Sequence, residues 1–330
     1  MHSDTANIFF TVVIPTRNKP ELFKLALDSV LSQSFKNIEV VVVNDGTTDD
    51  LLPAYKALEE SYGSNIDFRY QVRRPNGHGQ SYSMNTGAYV GSGKYLCFLD
   101  DDDYWIDTEH LQRAYSSIVS SNSEVDAYYT NQAAFFLDNT KHHGNIWIED
   151  LAEKTDGLEK DDFGAFKVTA EFLLTSKNFA HLNCTIIKRE LYLTIKGMDE
   201  NIRYECDRDI YLRTIDASET ILYNPAVVSR HNIPDPKKSD NMSTLVSIFE
   251  KRLYQITVYE KAILLSKKQC IRLHSKAGLS NIFKHITEEH IRLKQIKNAA
   301  SYAKRATASN FTGKWWLFSK YLSLLARFKA

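Results

Sequence analysis

Phe9-Phe10-Thr11-Val12-Val13-Ile14-Pro15-Thr16-Arg17-Asn18 is an unbroken β-branched and aromatic run that ends at a proline and three polar residues. A strand apolar on both of its alternating faces must be covered on both sides, as in the parallel sheets of α/β proteins. The segments that follow keep that rhythm. Pro20 to Gln33 places Leu22, Leu25, Ala26, Ser29 and Val30 at helical spacing, and Ile38 to Val43 is a second buried strand closing on Asn44-Asp45-Gly46. A helical stretch around Leu51 to Tyr62 precedes a strand at Phe68 to Val72. A Gly-punctuated loop at Asn76 to Gln80, a helix over Ser81 to Val90 and a strand at Tyr95 to Leu99 complete the series.

Strand, helix, strand in this order predicts right-handed crossovers and a mostly parallel sheet with helices on both faces. In such sheets ligands sit beyond the carboxyl ends of the strands. The polar clusters Thr16-Arg17-Asn18, Asn44-Asp45-Gly46 and Asp100 to Asp103 fall at those ends, so three sequence-distant groups are expected along one rim.

The last of them, Leu99-Asp100-Asp101-Asp102-Asp103-Tyr104-Trp105, carries the sharpest chemical signal. Four adjacent carboxylates repel one another unless they are solvated or share a cation, and hard divalent ions such as Mg²⁺ or Mn²⁺ favour oxygen ligands. Such an ion could bridge the phosphates of a nucleoside diphosphate and neutralise charge as a bond to it breaks. Taken alone, the run also fits an acidic surface turn or a calcium site.

Val12 to Asn18, Val42-Val43-Asn44-Asp45-Gly46-Thr47-Thr48-Asp49 and Phe98 to Asp103, in that order and at those intervals, resemble family 2 glycosyltransferases over Phe9 to about Asn241. The resemblance implies the GT-A fold and a metal-dependent, inverting transfer of a hexose or N-acetylhexosamine from a UDP-sugar. It implies that Asp45 binds the base, and that Pro15, Thr16, Arg17 and Asn18 line the nucleoside pocket. Asp102 becomes the direct metal ligand, with Asp100 nearer the ribose or sugar and Asp101 between them in the D-x-D. The segment ending Met84-Asn85-Thr86-Gly87 matches one that commonly reads Ala-Arg-Asn, so Asn85 joins the donor site, with Arg73 or Arg74 as a substitute positive charge. Arg230-His231 resembles the late segment in which His231 approaches the diphosphate or metal.

An inverting transfer needs a base to deprotonate the acceptor hydroxyl. Aligning Asp209-Ile210-Tyr211-Leu212-Arg213 with the family's Asp-Leu-Trp-Leu-Arg-like helix puts Asp207 at that position, with Glu205 the rival, because Cys206 stands where the family has a glutamate. Residue types alone allow a plainer reading, in which these acids merely favour a helix N-terminus. The stretch Asn232 to Asp240, with two prolines and two lysines, suits a loop closing over the donor.

Composition sets the wider frame. Hydrophobic residues at 43% and charged residues at 25% are ordinary for a folded protein, and 330 residues suit one α/β domain plus an appendage. Cys97, Cys184, Cys206 and Cys270 are widely spaced with no C-x-x-C pair, which points to a reducing compartment. Met1 to Asn7 lacks the basic and apolar regions of a signal peptide. From Asn241 onward 17 Lys+Arg stand against 4 Asp+Glu, a balance of +13 that leaves −13 for the first 240 residues of a chain with zero formal charge.

The organisation expected is therefore a nucleotide-sugar-binding half over 1–103, an acceptor-binding half over 104–242 and a basic helical extension over 243–330. At its end, Leu317, Phe318, Tyr321, Leu322, Leu324, Leu325 and Phe328 share one side of a helical wheel. Ser319, Lys320, Ser323 and Arg327 share the other. Trp315, Trp316 and these residues have the make-up of a helix lying in a membrane interface, and charges recur too often for a spanning one. The alternative is packing on the protein's own body. Because the aromatics form one stripe and do not interleave with the charges, no nucleic-acid partner is expected. The enzyme expected is peripheral on the cytoplasmic face of the plasma membrane, using a lipid-linked glycan acceptor in surface polysaccharide synthesis of the O-antigen kind. A nucleotidyltransferase would carry a Gly-rich phosphate loop, and Pro15 to Pro20 has no glycine. A non-catalytic sugar-binding module on the same fold is the other alternative.

Overall fold

In the computed structural model, residues 8–63, 66–136, 138–233 and 246–328 are described. The chain divides into two compact units, Met1–Asn241 and Met242–Ala330.

The first unit is built on a nine-stranded sheet. Its elements run β1 (Phe10–Thr16), α1 (Pro20–Leu31), β2 (Ile38–Asn44), α2 (Leu52–Tyr62), β3 (Ile66–Tyr70), α3 (Gln80–Val90), β4 (Tyr95–Phe98) and β5 (Tyr104–Trp105). There follow α4 (His110–Ser120), β6 (Ala127–Phe135), β7 (Phe166–Val168), α5 (Ala170–Leu173), β8 (Thr185–Lys188), α6 (Arg189–Thr194), α7 (Cys206–Ala217) and β9 (Ile221–Asn232). Strand order is β3-β2-β1-β4-β8-β6-β9-β5, and β7 pairs with β9. The four strands β3, β2, β1 and β4 are parallel throughout. Beyond them the sheet is mixed: β8 runs antiparallel to both β4 and β6, whereas β6 and β9 are parallel.

Proline at the first turn of α1 starts that helix where its missing N–H costs nothing. Its buried face is Phe23, Ala26, Leu27 and Val30, while Leu22 and Leu25 are exposed, so the apolar stripe lies one residue round from the face read in the sequence. Phe23 and Leu27 join Phe10, Val12, Ile14, Val40, Val42, Cys97 and Leu99 in one core. Each fully buried large side chain there contributes about 1.5–3 kcal/mol. That core fixes the strands, and the parallel registers Thr16 to Asn44 and Val13 to Phe98 bring their carboxyl ends to one edge.

Ahead of β8, which begins at Thr185, Leu182–Cys184 forms a 3-10 turn. The acidic segment from Glu149 contains a short 3-10 helix, Glu149–Lys154. The loop read from Asn232 to Asp240, and Asn241 to Ser243 after it, lie outside the described residues from position 234.

The second unit consists of α8 (Ile248–Leu265), α9 (Gln269–Arg292), α10 (Ile296–Ser309) and α11 (Gly313–Phe328). Ser247 and Glu250 form a reciprocal capping box at the start of α8. Helix α9 runs through Gly278 without a break. Glycine is there for closeness, since a Cβ would lie 2.4 Å from the Tyr259 ring. Ile256, Tyr259, Leu279, Ile282, Phe283, Ile286 and Ala306 form one core, and Ala299, Ala300, Ala303 and Leu322 a smaller one. The stripe of α11 is split by this packing. Phe318, Leu322 and Leu325 pack inward with Ser319 also buried, whereas Trp316, Leu317, Tyr321, Leu324 and Phe328 are exposed.

Candidate active site

The rim is assembled from strand ends. Thr16, the last residue of β1, donates from Oγ1 to Oδ2 of Asp101 at 2.8 Å and meets the Tyr55 hydroxyl at 2.7 Å. The Arg17 backbone N–H reaches the same Asp101 oxygen at 3.1 Å. Asp101 is therefore the peg that joins the acidic turn to β1. The Arg17 guanidinium bends away to the carbonyls of Arg74 and Pro75 at 3.1 and 2.9 Å. Asn18 adopts a left-handed conformation, and its side chain accepts from the Thr48 N–H at 2.9 Å.

Asp45 lies just past β2 and is nearly buried. Its carboxylate accepts from the backbone N–H of His78 (2.8 and 2.9 Å) and of Gly79 (2.9 Å), and meets Nδ1 of His78 at 2.7 Å. The 76–80 loop thus folds onto Asp45, with Gly77 in a positive-φ turn close against it. Three N–H donors leave part of a carboxylate's acceptor capacity for another group.

The four aspartates differ sharply in surroundings. Asp100 accepts from Nε2 of Gln80 at 2.7 Å, lies 3.7 Å from Nε2 of His181, and has its backbone N–H on Oδ1 of Asn183. Burial, then the charges of Asp103, Asp207, Asp102 and Asp101, push its carboxyl well above the usual range. Burial and Asp102 raise Asp101 to about 7 against the opposing pull of Lys19. Asp102 pairs with Nζ of Lys19 at 2.7 Å. Asp103 is fully buried; it accepts from Nδ2 of Asn183 (2.6 Å) and the Asn232 N–H (2.8 Å), and meets Nδ1 of His231 at 2.7 Å. Burial would raise Asp103, but His231 and His181 outweigh it and hold it below the ordinary value.

The two histidines are poised oppositely. Burial lowers His181, whereas at His231 the burial effect is overcome by Asp103 and the ring's affinity for a proton rises. Both rings lie edge-on to Trp147, at 5.5 and 4.9 Å between centroids.

Asp207, in the first turn of α7, is held by the Leu182 N–H at 3.3 Å and the Cys206 thiol at 3.7 Å. It is close enough to the acidic turn to raise Asp100 and to pull on both histidines. Glu205, in a left-handed conformation before the helix, is paired instead with Arg208, whose guanidinium covers the Phe179 ring at 4.3 Å.

Pro15, Thr16, Arg17, Asn18, Asp45, Asp100, Asp101, Asp102, His231 and Asp207 thus share one end of the sheet. Asn85 does not join them, because its amide is spent on Met198, Glu200 and Tyr192 in four hydrogen bonds. Arg74 offers its carbonyl to Arg17 while its side chain is exposed. The sequence had not singled out Lys19, Tyr55, Gln80, Trp147, His181, Asn183 or Asn232. Lys19 and Asn232 adjoin recognised positions and could have been suspected; the others are isolated in sequence and meet the site only through the fold.

Could these residues hold a divalent cation? One oxygen from each of Asp100, Asp102 and Asp103 lies within 4.8 Å of the others, and so do ligand atoms of Asp103, His181 and His231. Burial, then the neighbouring carboxylates, raise the Asp100 carboxyl, and oxygen donors of this kind fit Mg²⁺ or Mn²⁺.

The model of the family "Glycosyl transferase family 2" matches residues 11–192, more than half of the chain. The chain belongs to glycosyl transferase family 2. Its sequence relatives within and around that family include GlyA of Streptococcus pneumoniae, 36% identical over 35% of this chain and 16% of GlyA. The amylovoran biosynthesis glycosyltransferase AmsB of Erwinia amylovora is 29% identical over 63% of this chain and 64% of its own length. A GalNAc(5)-diNAcBac-PP-undecaprenol β-1,3-glucosyltransferase of Campylobacter jejuni is 27% identical over 51% of each chain. The chain thus spans less than two thirds of each of these three relatives.

Among solved structures, S. aureus TarS 1-349 in complex with UDP-GlcNAc superposes with a TM-score of 0.64 at 17% identity, covering 90% of this chain and 81% of TarS 1-349. A Pyrobaculum calidifontis mannosyltransferase in complex with GDP-Man and Mn²⁺ gives 0.60 at 18%, over 98% and 81%. These likenesses establish the GT-A fold expected for the family 2 chain, a mixed α/β sheet with helices, followed here by a helical C-terminal unit.

Proposed function

We propose that this family 2 chain is a metal-dependent, inverting glycosyltransferase that moves a hexose or N-acetylhexosamine from a UDP-sugar to an acceptor sugar carried on a lipid. The observation that carries the reading is the convergence of Asp45, Thr16 and Asp100 to Asp103 on one sheet edge, with Asp207 bordering the acidic turn. Residues 1–103 would serve as the donor half and 104–242 as the acceptor half.

Asp45, steadied by the 76–80 loop, holds the base, and the Pro15–Asn18 segment lines the nucleoside. Asp207 takes the acceptor hydroxyl proton as that oxygen attacks the anomeric carbon, and the nucleoside diphosphate leaves with the bonding electrons from the opposite face. Lys19 adds positive charge beside the acidic turn. Asp102, with Asp100 and His231, would hold a Mg²⁺ or Mn²⁺, which when bound neutralises charge on the leaving diphosphate. UDP-GlcNAc in TarS and Mn²⁺ in the Pyrobaculum calidifontis mannosyltransferase support that choice of donor and ion. The undecaprenol in the Campylobacter enzyme's name supports a lipid-linked acceptor, and AmsB supports polysaccharide synthesis.

The second unit would seat the enzyme on the cytoplasmic side of the membrane. Its support is the exposed Trp316, Leu317, Tyr321, Leu324 and Phe328 of α11, flanked by Lys320 and Arg327. Among the described residues no helix is long and apolar enough to cross a membrane.

The deciding experiment offers each nucleotide sugar in turn to purified protein with Mn²⁺ and measures free nucleotide released. Release from a UDP-sugar, abolished in Asp102→Asn, is expected. Release that survives this substitution, or no turnover with any donor, would overturn the reading, the second in favour of a non-catalytic sugar-binding module.

A further inference from the structure

The chain passes from β1 into α1 through Lys19, whose backbone is fixed against the acidic turn. Its N–H donates to the Tyr55 hydroxyl at 3.0 Å, that hydroxyl meets Oγ1 of Thr16 at 2.7 Å, and Thr16 in turn holds Asp101. The Lys19 carbonyl accepts from the Phe23 N–H at 2.9 Å, and Pro20 opens the helix. Beyond this anchor the side chain is a flexible four-carbon stem ending in a compact charge.

That charge falls on the acidic turn. Nζ lies 2.7 Å from Oδ2 of Asp102, with 21% of the Lys19 side chain and 24% of the Asp102 side chain exposed. The charges of Asp101 and Asp100 also draw the ammonium. Asp102 belongs with Asp100 and Asp103 to the trio whose oxygens lie within 4.8 Å of one another. Its neighbours in the run have partners fixed by the backbone: the Arg17 N–H holds Asp101, and the Asn232 N–H holds Asp103. Asp102 is held instead by a side chain that can swing away. The Arg17 guanidinium, the next cation along the chain, is turned to the Arg74 and Pro75 carbonyls.

We propose that Lys19 is a built-in competitor for the divalent cation: its ammonium neutralises Asp102 in the metal-free protein and must release that carboxylate for the ion to bind. The inference rests on the metal-dependent reading above. Ion uptake is then an exchange of one cation for another. Lys19 lowers the affinity of the site for the ion, and it stabilises the metal-free turn, where like charges otherwise repel. A residue that merely shaped the site would act in the opposite sense, since its loss would weaken ion binding.

The test uses the full chain, stripped of metal, as wild type, Lys19→Gln and Lys24→Gln. The last is a charge control, because the Lys24 ammonium pairs with Asp28 in an exposed i,i+4 contact on α1. Mn²⁺ affinity is read from the free-ion EPR signal, stability from thermal unfolding with and without Mn²⁺, and the Lys19 ammonium from ¹⁵N NMR as diamagnetic Mg²⁺ is added. For Lys19→Gln the expected result is a gain of roughly 3–10-fold in Mn²⁺ affinity, the scale of a partly exposed charge contact. Its Tm should be lower than that of wild type without the ion, and the gap should narrow at saturating Mn²⁺. The Lys19 resonance should move as Mg²⁺ binds, and Lys24→Gln should bind Mn²⁺ as wild type does. The proposal fails if Lys19→Gln binds Mn²⁺ no tighter than wild type, if Lys24→Gln gains as much, or if the Lys19 resonance stays unmoved at saturating Mg²⁺. Should Lys19→Gln not fold without the ion, the wild-type resonance still decides. Absence of Mn²⁺ binding in both wild type and Lys19→Gln sinks the metal-dependent reading itself, and this inference with it.

Discussion

Replacing Gly77 with alanine is a sharp test of how the nucleoside end of the site is built. Gly77 has φ +63°, and a Cβ there would fall 2.4 Å from Oδ2 of Asp45, 3.0 Å from its Cγ and 3.4 Å from Cδ of Arg17. The left-handed backbone costs a non-glycine residue roughly 1–2 kcal/mol. Displacing the Asp45 carboxylate forfeits at least one bond to the His78 or Gly79 N–H, and bonds to a charged group contribute about 1.5–3 kcal/mol each. The two effects together predict a loss of ~2.5–5 kcal/mol. Gly157 supplies the control: its φ is +79°, but no heavy atom lies within 4 Å of where a Cβ would stand, so Gly157→Ala bears the backbone cost alone. Urea unfolding of both variants measures stability, and calorimetric titration with UDP measures the pocket. Gly77→Ala should be the less stable by the value of the lost hydrogen bond, about 1.5–3 kcal/mol, and should bind UDP more weakly. Equal stability of the two variants together with wild-type UDP affinity would refute the claim that this loop braces Asp45.

Asp207→Asn should leave UDP affinity near wild type while lowering turnover by roughly 10²–10⁴-fold, the usual worth of a general base; near-normal kcat would move the role to Glu205. His110 is fully buried against Trp105, and burial lowers its pKa from 6.5 to about 3. The unfolded chain takes up that proton near pH 6.5 and the folded chain only near 3, so acidification through that window favours unfolding by about 1.4 kcal/mol per pH unit, with no contribution above it. Unfolding curves at pH 5 and 7 should show a smaller acid loss in His110→Phe than in wild type, and identical losses would contradict the assignment. Removing Gly313 to Ala330 should release the protein from sedimenting anionic vesicles, whereas unchanged sedimentation would place the membrane contact elsewhere.

The parallel half of the sheet was legible because its strands announce themselves locally. Phe9 to Ile14 and Ile38 to Val43 are apolar on both faces, and each ends in polar residues that a loop can carry. The other half was not, since β6 holds Thr130, Asn131 and Gln132 in its buried middle. Those side chains read as loop, yet Asn131 is satisfied by the Tyr223 hydroxyl and the Pro225 carbonyl on β9, a partner some ninety residues on. The same limit governed the site. Asp45, Asp102 and Asp207 lie in stretches whose order is itself a signal, whereas Asn183 and His181 gain their place only when the turn before β8 is laid beside the end of β4. The displaced face of α1 is a smaller error of one residue in angular register, decided by whether Phe23 or Leu22 can reach the sheet.

Asp100 to Asp103 read in sequence as a single motif, but four like charges in one turn cannot share one environment. The fold separates them by giving each a different answer. Asp101 is absorbed by Thr16 and the Arg17 N–H, Asp102 by Lys19, and Asp103 by His231, Asn183 and Asn232. Asp100 receives the neutral amide of Gln80 and, 3.7 Å away, a histidine whose proton affinity burial lowers. Burial, then the charges of its carboxylate neighbours, push its carboxyl well above the ordinary range. A hydrogen-bonded amide cannot offset burial together with the charges of three neighbouring carboxylates and Asp207, whereas a divalent ion can. The gathering of Asp100, Asp102 and Asp103 oxygens within 4.8 Å of one another is therefore the physical reason to propose a cation at this edge of the sheet.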